Sequence, residues 1–445
     1  MEQKENVMGT KKELPLLMSM AIPMMLSMLV QSLYNIVDSV FVSRLGSDAL
    51  TAVSLVYPLQ NIVTALAVGF GVGLNAVIAM NLGAKNFERA NITATLGVFF
   101  TFIHGLLFVV FGLLVTKPFL RLFTTDETIL AWGSSYSYIV LCFALGLLMQ
   151  LVMEKIFQAV GDMVTTMMLL GSGFVINLIL DPILIFGKLG FPAMGVKGAA
   201  IASVIGQFGS CLLYIIVYLK KNIDVKIGRK YLIFDKEIIA QVYKITVPSS
   251  LVVALPSVLI SVLNGMLVSF SKLHVAVFGI YFKLQSFIYL PANGIVQGMR
   301  PIISYNYGAE KYQRVKKTIH ISLIIVAAIM AVGTLLALLI PQQILAIFDA
   351  DADMLAIGVP ALRIISLGFI VSAVGVIYSG TFEALGRGFE ALVISLLRQF
   401  VVTIAASFIL SRIFGALGIW VAFPIAEAIG AIAAFFMMRR QLKKL

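Results

Sequence analysis

Stretches of about 20 apolar residues recur along the chain from Leu14 to Leu442, each long enough to cross a hydrocarbon core of roughly 30 Å. Inside such a core no water satisfies backbone N–H and C=O groups, so a continuous apolar run of this length has to be a helix. The runs predict helices over 15–41, 48–80, 92–116, 131–158, 163–187, 194–220, 239–267, 274–305, 316–339, 355–385, 389–412 and 415–438. Composition agrees: 60% of the residues are hydrophobic and 12% charged, and the mean hydropathy is +1.02. Soluble domains carry about a quarter charged residues. The expected fold class is therefore an all-α integral membrane protein of about 12 transmembrane helices, with no stretch left for a soluble domain.

A net charge of +12 would suggest nucleic acid in a soluble chain. Here the basic residues cluster in alternate loops: Lys4, Lys11, Lys12, Lys85, Arg89, the stretch from Lys220 to Lys236, Lys311 to Lys317, Arg387 and Arg439 to Lys444. They give about 20 Lys and Arg on one side against about 7 on the other, the asymmetry of the positive-inside rule. The charge thus reports a multi-pass protein of the inner membrane with both termini cytoplasmic, and no nucleic-acid partner is expected. Cys142 and Cys211 lie in apolar stretches and read as small hydrophobes rather than a disulfide. The first residues mix acids and bases ahead of a long span and lack a small-residue cleavage site, so the N-terminus is expected to be retained.

The two halves repeat. A shift of 225 takes Pro23 onto Pro248 and NLGAKNFER (Asn81 to Arg89) onto NYGAEKYQR (Asn306 to Arg314). The same shift pairs Gln60 with Gln285, Gly69 with Gly294, Gly73 with Gly298, Asp126 with Asp351, and Gly161 with Gly386. After a five-residue deletion, Gly195 and Gly198 align with Gly415 and Gly418. Each unit has six helices, and because six is even the repeats are parallel, related by an axis along the membrane normal. The expected organisation is an N-terminal lobe over 1–219, a cytoplasmic linker over 220–237 and a C-terminal lobe over 238–445. Paired bundles of this kind suit alternating access. A secondary active transporter, rather than an enzyme, is expected. The chain carries no HExxH, GxSxG or P-loop pattern.

Several motifs resemble the MATE multidrug and toxin extrusion transporters, and within them the DinF-like bacterial branch. They are Ile22-Pro23, Asn35 to Asp38 followed by Phe41 and Arg44-Leu45-Gly46, the turns Asn81 to Ala84 and Tyr305 to Ala309, and Asn177 with Asp181. The resemblance covers nearly the whole chain. It implies a two-lobed, V-shaped fold and export of amphiphilic, often cationic compounds in exchange for protons or sodium ions. The same architecture is shared by flippases of lipid-linked precursors, so an exporter of a lipid-linked or anionic substrate stands as the alternative function.

Ionisable residues inside a span cost several kcal/mol unless they are paired, hydrated or used. Asp38 and Asp181 stand out; counted at 1.5 Å per residue from the inner helix ends, they lie about 34 Å and about 27 Å up. Asn177 and Asp181 are spaced i and i+4, on one helix face. Pro182 leaves the Leu178 carbonyl without its helical amide partner, a further oxygen. Oxygen ligands suit a hard ion such as sodium, and a carboxyl in an apolar site can instead carry a proton. The repeat sends Asn35, Asp38, Asn177 and Asp181 onto Ile260, Leu263, Val402 and Ala406, so this polar set exists in one half only. A cluster that merely fixes helix register is the plainer alternative. The resemblance implies that Asp38 and Asp181 are the cation-site acids, Asn177 their amide neighbour and Ser203 the hydroxyl that completes the site, where threonine is usual. Tyr34 and Asn35 are candidates for its surroundings. No cofactor beyond a coupling ion, H+ or Na+, is expected, with Asp38, Asn177 and Asp181 as the sodium ligands in the second case.

Other charges divide into groups. Glu154, Lys155 and Arg300 lie near estimated cytoplasmic ends, where long side chains reach the interface. Arg398 and Glu427 sit deeper, on adjacent helices, and could pair. Lys283 and Arg363 would disfavour a cationic substrate if they faced a cavity, and they carry the flippase alternative. His104, His274 and His320 show no metal-ligand spacing. The expected partners are an amphiphilic small molecule and membrane lipid, with the chain acting as a monomer.

Overall fold

The computed structural model describes residues 6–348 and 350–444, which are helical with no strand among them. Residues 1–5, 349 and 445, which the lobe boundaries above include, lie outside the described residues. A single turn, α1 (Val7–Thr10), precedes α2 (Glu13–Ser43), α3 (Ser47–Gly83) and α4 (Phe87–Arg121). The next segments are α5 (Glu127–Cys142), α6 (Leu145–Ala159), α7 (Met163–Phe186) and α8 (Val196–Lys220). The second half runs through α9 (Lys236–Val268), α10 (Lys272–Gly308), α11 (Tyr312–Leu339), the short α12 (Pro341–Ala346) and α13 (Ala352–Ala384). It closes with α14 (Gly388–Leu396), a π-helical segment at Leu397–Val401, α15 (Val402–Phe414) and α16 (Ala416–Leu442).

Among the described residues eleven helices are long and apolar enough to cross a membrane, with α14, the π-helical segment and α15 counted as one continuous helix, Gly388–Phe414. The helix expected over 131–158 is instead broken: α5 and α6 meet at a 42° bend and together make the twelfth span. Gly146, just past the break, lies against Phe208 of α8, where a Cβ would come within 2.8 Å of the ring. Large apolar side chains also cover the outside of the helices, among them Leu106 and Leu114 of α4 and Ile409 and Ile413 of α15. A water-soluble protein would hide them; an acyl-chain solvent does not require it.

The repeat is visible in the backbone itself. Lys85 and Glu310, 225 residues apart, both adopt left-handed φ values of 58° and 57° although neither is glycine. Asn81 Nδ2 and Asn306 Nδ2 each donate to the carbonyl four residues back, Val77 and Ile302, at 2.8 Å. Asp126 caps α5 through the amides of Thr128 and Ile129, and Asp351 caps α13 through Met354.

The chain forms two compact units, whose composition differs from the sequence lobes. The N-terminal unit is Leu26–Ser250, and the C-terminal unit is Met1–Met25 with Leu251–Leu445. The start of α2 therefore belongs with the second repeat and the start of α9 with the first. Glycine packing accounts for it. In the C-terminal unit, Gly294 and Gly298 of α10 lie against Met25 and Ala21, where a Cβ at either glycine would meet α2 backbone at 3.0 Å and 2.8 Å. In the N-terminal unit, a Cβ at Gly69 or Gly73 of α3 would meet α9 backbone, at 2.6 Å from Ser250 N and 2.7 Å from Val242 O. Small residues four apart let helices touch backbone to backbone, the main source of helix adhesion in lipid.

Candidate functional site

Within the N-terminal unit, α7 supplies Asn177 and Asp181 on one face. Both are buried, with Asp181 at 0% exposure and Asn177 at 2%. Asn177 Nδ2 donates to Ser203 Oγ of α8 at 3.2 Å, and the Ser203 hydroxyl also lies 3.4 Å from the Tyr34 hydroxyl of α2. Tyr34 stacks on Phe174 of α7, one turn below Asn177, with ring centroids 5.2 Å apart and planes at 15°. Asp38 stands one turn above Tyr34 on α2, half-buried. Its carboxyl is within electrostatic reach of Asp181, Tyr34 and Tyr136.

The polar atoms that remain are all acceptors. Asp38 Oδ1, Asn177 Oδ1 and both oxygens of Asp181 are buried without a hydrogen-bond donor from the protein. Buried oxygens are nearly always paired, and here four on α2 and α7 are left without a donor, with the Asp38 and Asp181 carboxyls within reach of one another. Pro182 sits inside α7 directly after Asp181, and it withdraws one backbone N–H from the helix beside them. An oxygen-only set of this kind fits a proton or a hard cation and nothing softer.

One residue near this cluster escapes sequence reasoning, and its partner is marked only by the repeat. Tyr136 of α5 is buried, and its hydroxyl accepts from Gln60 Nε2 of α3 at 3.4 Å. Gln60 is one of the repeated glutamines; Tyr136 carries no pattern that marks it. Asn35 departs from expectation in the other direction. It is exposed, and its backbone carbonyl, which accepts from Ser39 Oγ at 2.8 Å, is its engaged group.

In the C-terminal unit, Lys283 of α10 and Arg363 of α13 are both exposed and neither forms an ion pair among the described residues. Arg398 and Glu427 do pair, Nε to Oε2 at 2.6 Å, linking the π-helical segment to α16. The expectation of snorkelling for Glu154, Lys155 and Arg300 is corrected. Glu154 and Lys155 of α6 are 3% and 6% exposed. Lys155 Nζ donates to Glu154 Oε1 at 2.8 Å and to Gln158 Oε1 at 2.9 Å, and Gln158 Nε2 donates to Glu154 Oε1 at 2.7 Å. Arg300 pairs with the buried Glu383. The charges pair with one another inside each unit, so they need not reach the interface. Of the histidines, His104 is hydrogen-bonded to Tyr243 at 2.9 Å and His274 to Ser271 at 2.8 Å.

Parallel six-helix repeats that cross the membrane, with undonated acid oxygens buried between spans of one repeat, are the build of a membrane transporter. The chain matches the family model MatE over residues 23–183 and 248–409, one match in each repeat, and it belongs to that family. It is accordingly a multi-pass membrane transporter and not an enzyme. Among its relatives, the multidrug export protein MepA of Staphylococcus saprophyticus is 28% identical over 423 residues, covering 95% of this chain and 92% of that protein. The MepA protein of Staphylococcus aureus strain MSSA476 is 28% identical over 428 residues with the same coverage. These relatives do not single out the DinF-like branch. The fold matches a MATE crystal structure in the straight conformation at a TM-score of 0.93 and 24% identity, over 99% of both chains. It also matches an outward-facing multidrug resistance MATE family transporter of the MOP superfamily at 0.93 and 24% identity, over 99% of this chain and 98% of that one.

Proposed function

We propose that this protein is a secondary antiporter that exports amphiphilic, mainly cationic small molecules in exchange for protons, with Asp38 and Asp181 carrying the coupling ion. The observation that supports this reading is the set of four buried acceptor oxygens on Asp38, Asn177 and Asp181 without a protein donor. Two carboxylates within reach of one another repel, and a single small cation bound to them relieves the repulsion. Ser203 is already engaged by Asn177 and Tyr34, which leaves the carboxyl oxygens and one amide oxygen as ligands, a set that favours a proton over sodium. The relatives named as multidrug export proteins support the substrate class. On this reading the chain works as a monomer in the inner membrane, with both termini cytoplasmic, lipid around it and no cofactor besides the coupling ion.

Binding the coupling ion from outside removes one negative charge from the pair of acids where α2 and α7 meet, and its release inside restores that charge. That change alters how α2 packs, which links the ion to substrate release. The test is efflux of a fluorescent lipophilic cation from proteoliposomes under a pH gradient and, separately, a sodium gradient. Wild type is expected to respond to the pH gradient, and Asp38→Asn or Asp181→Asn to lose at least about tenfold of that response, about 1.4 kcal/mol of coupling. Efflux still coupled after both substitutions together would overturn the assignment, and a response to sodium alone would replace the proton with sodium.

A further inference from the structure

The C-terminal unit also holds a largely shielded carboxylate between its last two spans, that of Glu427 with Oε2 out of solvent, and there the arrangement is the inverse of the N-terminal one. The repeat places Arg398 at the position of Gly173 of α7, and, past the deletion, Glu427 at the position of Gln207 and Gly430 at that of Ser210 of α8. In the N-terminal unit this level of the α7 and α8 seam is closed by backbone. A Cβ on Gly206 would lie 2.7 Å from the Gly173 carbonyl, so no side chain can enter just below Asn177. In the C-terminal unit the same level is opened by the π-helical segment and filled by Arg398. π-bulges of this kind recur at functional positions.

Three glycines shape the space that Arg398 and Glu427 occupy. A Cβ at Gly375 of α13 would lie 2.6 Å from Arg398 Cδ, and one at Gly430 of α16 2.5 Å from Arg398 Cγ. A Cβ at Gly368 would contact Glu427 Cγ at 3.4 Å. The guanidinium is thus threaded between two helices and ends on Glu427 Oε2. Tyr281 and Tyr289 of α10 are within electrostatic reach of both charges, and Tyr289 donates to Ser372 of α13 at 2.7 Å. One turn further out, where the other unit has Asn177 and Ser203, this unit has Val402 and Phe423, and where the other has Asp181 it has Ala406. Nothing acidic remains there for a mobile cation to meet.

We propose that Arg398 is the resident counter-cation of the C-terminal unit, holding against Glu427 the place that an exchangeable cation takes against the acids of the N-terminal unit. The second half of this statement rests on the function proposed above; the first does not. A tethered guanidinium cannot leave, so Glu427 is matched throughout the cycle and ion traffic is confined to one unit. Removing Arg398 should convert this seam into a binding site for a small organic cation, because it leaves a largely shielded carboxylate facing a guanidinium-shaped gap lined by Gly375 and Gly430.

The experiment uses full-length protein in detergent, with the probe ethylguanidinium at millimolar concentrations. In a Trp132→Phe background, buried Trp420, seven residues before Glu427 on α16, reports melting of this unit by fluorescence. Arg398→Gly should melt below wild type and regain stability as ethylguanidinium is added, rising with the logarithm of its concentration as ligand linkage requires. Wild type and the Arg398→Gly/Glu427→Gln double variant should not respond. No rise in Arg398→Gly, or an equal rise in the double variant, would overturn the proposal. If Arg398→Gly does not fold, Glu427→Gln alone is compared with the double variant. The double should then be the more stable, since it leaves no charge unmatched, and a double variant no better than Glu427→Gln would equally overturn it. Because no transport is measured, a negative result for Asp38 and Asp181 leaves this outcome untouched.

Discussion

Ser203 joins two helices through one hydroxyl, because Asn177 Nδ2 donates to it and Tyr34 shares its other side. Replacing it by alanine leaves a buried amide hydrogen without an acceptor, a loss of about 1–3 kcal/mol. Ser203→Ala should lower the melting temperature of the purified protein and slow coupled efflux, whereas Ser203→Thr, which keeps the hydroxyl, should retain both. At this scale much of the cluster is legible in sequence. The i and i+4 spacing puts Asn177 and Asp181 on one face, and their absence from the second repeat singles them out. Tyr136 and Phe174 are not legible, since an apolar helix gives no sign of which aromatic turns toward a polar cluster on another span. The pairing of Glu154 with Lys155 and Gln158 is not legible in sequence for a related reason. Distance from a helix end says how far a side chain can reach, not whether partners at i+1 and i+4 already satisfy it.

Two contacts between elements depend on paired glycines. The Gly294 and Gly298 face of α10 receives Met25 and Ala21 of α2 with a Cβ-to-backbone clearance of 3.0 Å or less. Gly298→Val would force the helices apart, an overpacking loss of about 1–3 kcal/mol, and Gly73→Val should do the same to α3 and α9. Melting of each purified variant, read beside Gly171→Ala, whose Cβ would meet nothing within 4 Å, checks whether the loss belongs to the crossings. The positions of the spans were readable from apolar length, and the repeat from a constant offset. The 42° bend between α5 and α6 was not, because neither proline nor a polar break marks Phe143 and Ala144.

For the whole molecule, the offset of 225 locates two homologous halves but not the two units into which they pack. The first 25 residues join the second unit, where Asn306 Nδ2 and Arg314 hold the carbonyl of Met8, and Arg314 and Lys317 hold the Glu13 carboxylate. Residues 236–250 join the first, where Arg89 pairs with Glu237. A sequence comparison of halves cannot reveal this, since each half contains an equivalent first helix and either could accept it. Cutting the chain in the linker between Gly228 and Arg229 should therefore yield halves that resist protease only when made together. A stable, protease-resistant fragment 1–228 on its own would contradict that dependence.

The same shared packing sets a timetable for biosynthesis. Chains grow at roughly 5–20 residues per second, so the segment ending at Met25 is in the membrane for tens of seconds before α10 has been synthesised. Through that interval its glycine-matched face has only lipid or a chaperone beside it. A span that enters the bilayer early is thus among the last to find its permanent neighbours.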